Sequence, residues 1–189
     1  MYRTFHLQHQ QPAQKAMGAL GITLRILKNL KPDPFCLSLI ERAFPGGVMA
    51  LRAVSARAGR PVGVYKAFAG KLGSGLERNH LNVAAVFKRI PHGEGLVVAL
   101  QGRVSQAGSE HWSFHSSLDQ WADRIIKGHG RKPTVGEYFS EGLPAALMNT
   151  ELDPYAALVL ADAAERQASH YGYTAEMLLD WIPSTAVRR

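Results

Sequence analysis

Five consecutive apolar residues, Leu96-Val97-Val98-Ala99-Leu100, follow directly on the turn Pro91-His92-Gly93-Glu94-Gly95. A short apolar run bounded by glycine and proline reads as a buried strand, and with no polar alternation it needs cover on both faces. The chain must therefore supply flanking strands and packing helices around this segment. A strand is expected at 62–68, ahead of the glycine-rich run Gly70-Lys71-Leu72-Gly73-Ser74-Gly75. A further short apolar strand is expected at 47–54. A helix is expected from Glu77 or Arg78 to about Ile90, where Pro91 stops it. Arg103-Val104 and His111-Trp112-Ser113-Phe114 can pair as a hairpin across 105–109.

Helices bracket this strand-rich middle. Met17, Leu20, Leu24 and Leu27 recur at helical spacing within 13–30, which Lys31-Pro32-Asp33-Pro34 ends. Asp33 can cap a second helix that runs to Phe44. In the C-terminal third, Ser116-Ser117-Leu118-Asp119 reads as a capping box, with Leu118, Trp121, Ala122, Ile125 and Ile126 as one apolar face behind it. Gly128-His129-Gly130 closes that helix. Asp153-Pro154 opens another that reaches about His170, and Thr174 opens a short one carrying Met177, Leu178, Trp181 and Ile182 on one face. The reading is one α+β domain over 1–189. It comprises N-terminal helices (1–46), a strand-rich core (47–115) and a helical C-terminal part (116–189).

The charge is unevenly distributed. The first 132 residues carry 19 Lys and Arg against 7 acids, and the remaining 57 carry 3 against 8. Such asymmetry suits a basic face for phosphates and an acidic end that faces elsewhere, or simply a solvated basic surface. Non-sequence-specific contact with single- or double-stranded DNA is therefore expected, with Arg57, Arg60, Arg124, Lys127, Arg131 and Lys132 as candidate backbone contacts. The last four can equally complement a helix dipole. No stretch of about 18 apolar residues is present, and the first eleven residues lack the apolar core of a secretory signal. The single cysteine, Cys36, allows no intrachain disulfide and sits among apolar neighbours, as a buried thiol in a reducing compartment would.

Chemistry is expected at the glycine run. Glycines let amide groups turn toward a phosphate, and a helix N-terminus just beyond would add donors and partial positive charge. Lys71, Gly73, Ser74, Gly75 and Arg78 are the candidate phosphate ligands, with Arg78 offering a planar fork. Glu77 is the acid of the loop and can orient a water or hold a divalent metal, or serve merely as a first-turn acid. Gly75-x-x-Arg78 resembles the GxxR motif of the ParB/sulfiredoxin superfamily, which closes over a nucleotide's phosphates; the likeness spans 47–100. The resemblance implies a ParB/sulfiredoxin-like small mixed sheet, ATP hydrolysis, and DNA cleavage assisted by Mg²⁺ or another divalent metal; Glu77 and Arg78 are the residues expected to carry the catalysis, although Glu77 stands one position later than the acid of the ParB motif. Where sulfiredoxins place their catalytic cysteine this chain has Leu76 and Glu77, so sulfinic acid reduction is not implied.

The whole chain is also similar to the fertility-inhibition factors of conjugative plasmids. That likeness implies a bacterial cytoplasmic protein, with peripheral attachment to the inner membrane left open. It would act on type IV secretion or coupling components to block export of T-DNA or plasmid DNA. A non-catalytic inhibitor acting by occupancy is the alternative. His111 and His115, at i and i+4, share a face and permit a metal, but no third ligand is evident from the sequence.

Overall fold

The computed structural model describes residues 59–68, 72–181 and 183. Expectations at 1–46, at 47–54, and for Cys36, Arg57 and Lys71 lie outside the described residues. The architecture is α+β: a small sheet covered by helices. Strands β1 (Val62–Val64), β2 (Leu76–His80) and β3 (Leu96–Gln101) pair in the order β1-β3-β2. Both pairings are antiparallel, so the sheet expected to be mixed is antiparallel throughout among the described residues.

β3 lies at the centre, with Leu96 through Leu100 at most 2% exposed, as a run without polar alternation requires. Val62 and Val64 of β1 pair with Val98 and Leu96. The strand expected over 62–68 stops at Val64. Tyr65–Phe68 is a single 3-10 turn, fixed by the Tyr65 and Lys66 amides donating to the Gly95 and Gly93 carbonyls.

The largest correction concerns 76–90. In place of a helix from Glu77 or Arg78, Leu76–His80 is a strand with five registered partners on β3. Leu76-Glu77-Arg78-Asn79-His80 offers no apolar stripe for a helix to bury, whereas β3 offers a ladder of backbone groups that must be paired. Turns carry 81–90 onward and bury Leu81, Val86, Phe87 and Ile90.

The expected hairpin at 103–114 is a helix instead. α1 (Glu110–His129) starts at Ser109, whose Oγ accepts the Trp112 amide, and it buries Phe114, Leu118, Trp121, Ala122 and Ile125. Ser116 and Ser117 therefore lie within the helix, not at its cap. Gly130, at φ 63°, ends it in the left-handed conformation that favours glycine. Ile126, expected on the buried face, is 37% exposed.

Next come α2 (Val135–Glu137), a π-helical segment (Tyr138–Gly142) and α3 (Leu143–Met148). Thr134 and Glu137 cap α2 reciprocally. Gly142 lies under the Trp121 indole, where a Cβ would come within 2.7 Å of the ring. α4 (Pro154–His170) matches the expectation at both ends. Asp153 accepts the Tyr155 and Ala156 amides, and an alanine-rich face is buried.

The helix expected from Thr174 is absent. That segment runs alongside the start of α2, with the Val135 and Gly136 amides donating to the Met177 and Ala175 carbonyls. Leu178 consequently points outward, 62% exposed.

Candidate functional site

Strand geometry decides where the Glu77-Arg78 pair can act. Neighbours in a strand point to opposite faces. Glu77 and Asn79 share the face on which Val98 and Leu100 join the core, while Arg78 and His80 share the other with Val97 and Ala99. Gly75 has φ 79° and its carbonyl accepts the Gly102 amide at 2.8 Å. The Leu76 amide donates to the Gly73 carbonyl within the turn. Gly73, Ser74 and Gly75 are exposed. Gly73–Gly75 make the tight entry to β2, which lies at the edge of the sheet among the described residues, so a strand stands in place of the expected helix N-terminus.

On the Arg78 face the side chains are stacked. The guanidinium carbon of Arg78 lies 3.8 Å from the Tyr65 ring centroid, and Nη1 donates to the Tyr65 carbonyl at 3.4 Å. The His80 ring stacks on Tyr65 at 4.8 Å, and His92 packs against both rings. Burial, with the nearby His92 and Arg78 adding to it, lowers the His80 pKa to about 4. His80 is therefore neutral at pH 7 and does not add to the positive charge of Arg78.

On the other face, Glu77 Oε2 lies 3.3 Å from His111 Nδ1, and Oε1 lies 3.9 Å from Arg103 Nε. His111 is 6% exposed, and burial lowers its pKa against the opposing pull of Glu77 and the Gly102 backbone. His115 follows one helical turn on, its ring centroid 5.2 Å from that of His111. Its pKa is lowered to about 4 by burial, with His111 and His80 adding to the effect. The Asn79 amide, fully buried, has neither polar atom hydrogen-bonded.

The two faces meet at the start of β2. A cleft of about 430 Å³ there is lined by Tyr65, Phe68, Leu72, Leu76, Glu77 and Arg78. Glu77 and Arg78 thus border one space, with four aromatic or aliphatic side chains between the turns. Tyr65 and Phe68 are the site residues that sequence reasoning misses. His111 stands out only in its i, i+4 spacing from His115, because its partner Glu77 arrives through tertiary folding.

The candidate DNA contacts are distributed differently. Arg60 is held against Glu110 at 3.2 Å and Glu151 at 3.0 Å, with its side chain 19% exposed. Lys127 pairs with Asp123 at 2.6 Å and Lys132 with Asp180 at 2.6 Å, and Arg131 forms a two-pronged pair with Glu137. The Arg131 guanidinium holds the Glu137 pKa down to about 2. Arg124 is exposed on α1 and lines a shallow groove with Gln120, Asp123, Lys127 and Gly128. Arg60 and Lys132 thus serve long-range ion pairs and Arg131 a local one, and acids stand beside these cations.

No helix among the described residues is long and apolar enough to cross a membrane. The chain matches no protein-family model, no curated protein and no solved structure.

Proposed function

We propose that this chain is a fertility-inhibition factor of the oncogenic suppression activity (Osa) type. It blocks DNA export through a type IV secretion system by hydrolysing ATP and cleaving DNA at the Glu77-Arg78 cleft. One observation carries the reading: these two residues, on opposite faces of β2, line a single cleft of about 430 Å³. That volume lies in the range of sites for nucleotide-sized ligands. Phe68, Leu72 and Leu76 contribute apolar surface beside a base, while the Tyr65 ring is taken up by Arg78 and His80. Arg78, fixed on Tyr65, presents the edge of its guanidinium to phosphate oxygens. Glu77, half-exposed, orients a water or holds a divalent ion, with the substrate's phosphates completing the shell. DNA and the secretion or coupling machinery are the partners in this reading.

Highly purified protein is incubated with ATP, and separately with labelled single- and double-stranded DNA, with and without Mg²⁺. Arg78→Ala is expected to cost about 1 kcal/mol of stability, the worth of an exposed cation–π contact. Turnover is expected to fall on the order of a hundredfold, as when one electrostatic donor to a transition state is removed. Glu77→Gln lowers turnover more than nucleotide binding. Wild-type protein without either activity, or variants as active as wild type, overturns the catalytic reading.

The second reading is a non-catalytic inhibitor that occupies a secretion or DNA-processing component. The ion pairs of Arg60, Lys127, Arg131 and Lys132 favour it, because cations already matched with acids gain less from DNA phosphates.

A further inference from the structure

We propose that Tyr65, Lys66, Arg78, His80 and His92 form a contact surface for single-stranded DNA, with His92 as the ring on which a base stacks. The inference rests on the DNA partner named in the reading above and on none of its catalysis.

The turn before β3 is fixed from two directions. The Glu94 and Gly95 amides donate to the Pro91 carbonyl and close the turn on itself, while the Tyr65 and Lys66 amides donate to the Gly95 and Gly93 carbonyls. His92 is thereby held against two rings, its centroid 4.3 Å from that of Tyr65 and 4.7 Å from that of His80. Tyr65 in turn carries Arg78 and the near-parallel His80 ring. Of the three rings His92 is the exposed one, so it rests on a packed stack and meets solvent with the remainder of its surface. A ring anchored in this way loses little freedom when a base stacks on it. Gly93 completes the arrangement, because a Cβ there would overlap the Lys66 side chain that lies across the turn.

Charge is the second, independent observation. Lys66 is exposed and Arg78 half-buried, and among the described residues no ion pair engages either of them. Arg60, Lys127, Arg131 and Lys132, by contrast, are each matched with an acid. The acid of the turn, Glu94, is buried, with its carboxylate accepting from the Tyr171 hydroxyl. Uncompensated cations beside an exposed ring are what a single strand requires, since cations follow its phosphates while its bases stack. A duplex keeps its base faces within its own stack and offers its phosphates and groove edges instead, so His92 adds affinity for the single strand alone. Arg78 belongs both to this stack and to the Glu77 cleft, which places a bound strand beside that cleft.

The test measures binding by the full chain in EDTA and without ATP, so it can fail while nucleotide hydrolysis stands, and the reverse. Fluorescence anisotropy of a labelled oligothymidylate is compared with that of a labelled duplex of equal length, with circular dichroism verifying that each variant is folded. Wild type is expected to prefer the single strand by about fivefold or more, the lower worth of one stacked base. His92→Ala is expected to weaken single-strand binding by at least that factor, whereas His92→Trp, which keeps a ring, binds as tightly as wild type or more tightly. Lys66→Ala is expected to lower the slope of log affinity against log salt by about 0.7 unit, one phosphate contact on a single strand. No measurable single-strand binding, or a preference or a His92→Ala loss below about fivefold, overturns the surface. A loss in His92→Trp equal to that in His92→Ala overturns the stacking role, and an unchanged slope in Lys66→Ala overturns the phosphate contact.

Discussion

Gln167 is wholly buried in α4, yet its amide is fully used. Its oxygen accepts from the Leu96 amide at 2.9 Å and from Asn82 Nδ2 at 3.2 Å, and its nitrogen donates to the Glu94 carbonyl at 2.8 Å. One side chain thus ties α4 to the start of β3 and to the turn before it. Gln167→Leu keeps the volume but takes the acceptor from the buried Leu96 amide and a donor from the Glu94 carbonyl. At about 1–3 kcal/mol for each group so deprived, a loss on the order of 3–4 kcal/mol is expected, read as a lower midpoint in urea denaturation. Arg166, the next residue, has its side chain 67% exposed and pairs with Asp162 one turn away. Arg166→Ala should shift stability by no more than about 0.5 kcal/mol. If the two variants prove equally stable, the buried amide is not the tie described.

At the scale of elements, β2 brings a titratable group into the fold. His80 lies among Tyr65, His92 and Arg78, and its pKa is lowered to about 4 from 6.5. The folded state therefore binds fewer protons than the unfolded chain between those values. Stability from this group is complete above pH 6.5, falls as pH drops toward 4, and levels off below it. The full loss is on the order of 3 kcal/mol. His80→Gln should make the profile between pH 7 and pH 4 shallower without levelling it, because His111 and His115 are also held low by burial, and an unchanged slope would count against the assignment.

β2 is also where sequence reading fails most instructively. β3 and α4 are legible because each carries its own signal: an unbroken apolar run in one, an Asp-Pro start and a small-residue face in the other. β2 carries none. Its strand character comes from the pairing with β3, which no local pattern reveals. α2 was legible in principle from Thr134-x-x-Glu137, while α1 begins at Ser109, ahead of the apolar stripe that suggested it. The site divides the same way: the motif names Glu77 and Arg78, but only the alternation of a paired strand sends one toward His111 and the other onto Tyr65.

For the whole molecule, net charge overstates what is available to DNA. The chain carries a formal +7, yet Lys127, Arg131 and Lys132 each sit against an acid, and Arg60 sits against two. A cation that must leave a carboxylate to meet a phosphate gives up one attraction for another, so its contribution to counterion release is reduced. Arg124 has no such partner among the described residues and is the cation on α1 from which most is expected. If this end of the molecule follows a DNA backbone, Arg124→Ala should lower the slope of log affinity against log salt by about one unit. Lys132→Ala should lower it by less. Asp180→Asn, which removes an exposed partner of Lys132, should raise affinity at low salt by releasing that ammonium. The three variants are compared by fluorescence anisotropy on one labelled duplex over a range of salt concentrations. Equal slopes in all three, with affinity unchanged by Asp180→Asn, would mean that DNA does not touch this end. The ion pairs would then be structural, and inhibition by occupancy would gain ground over cleavage of a bound strand.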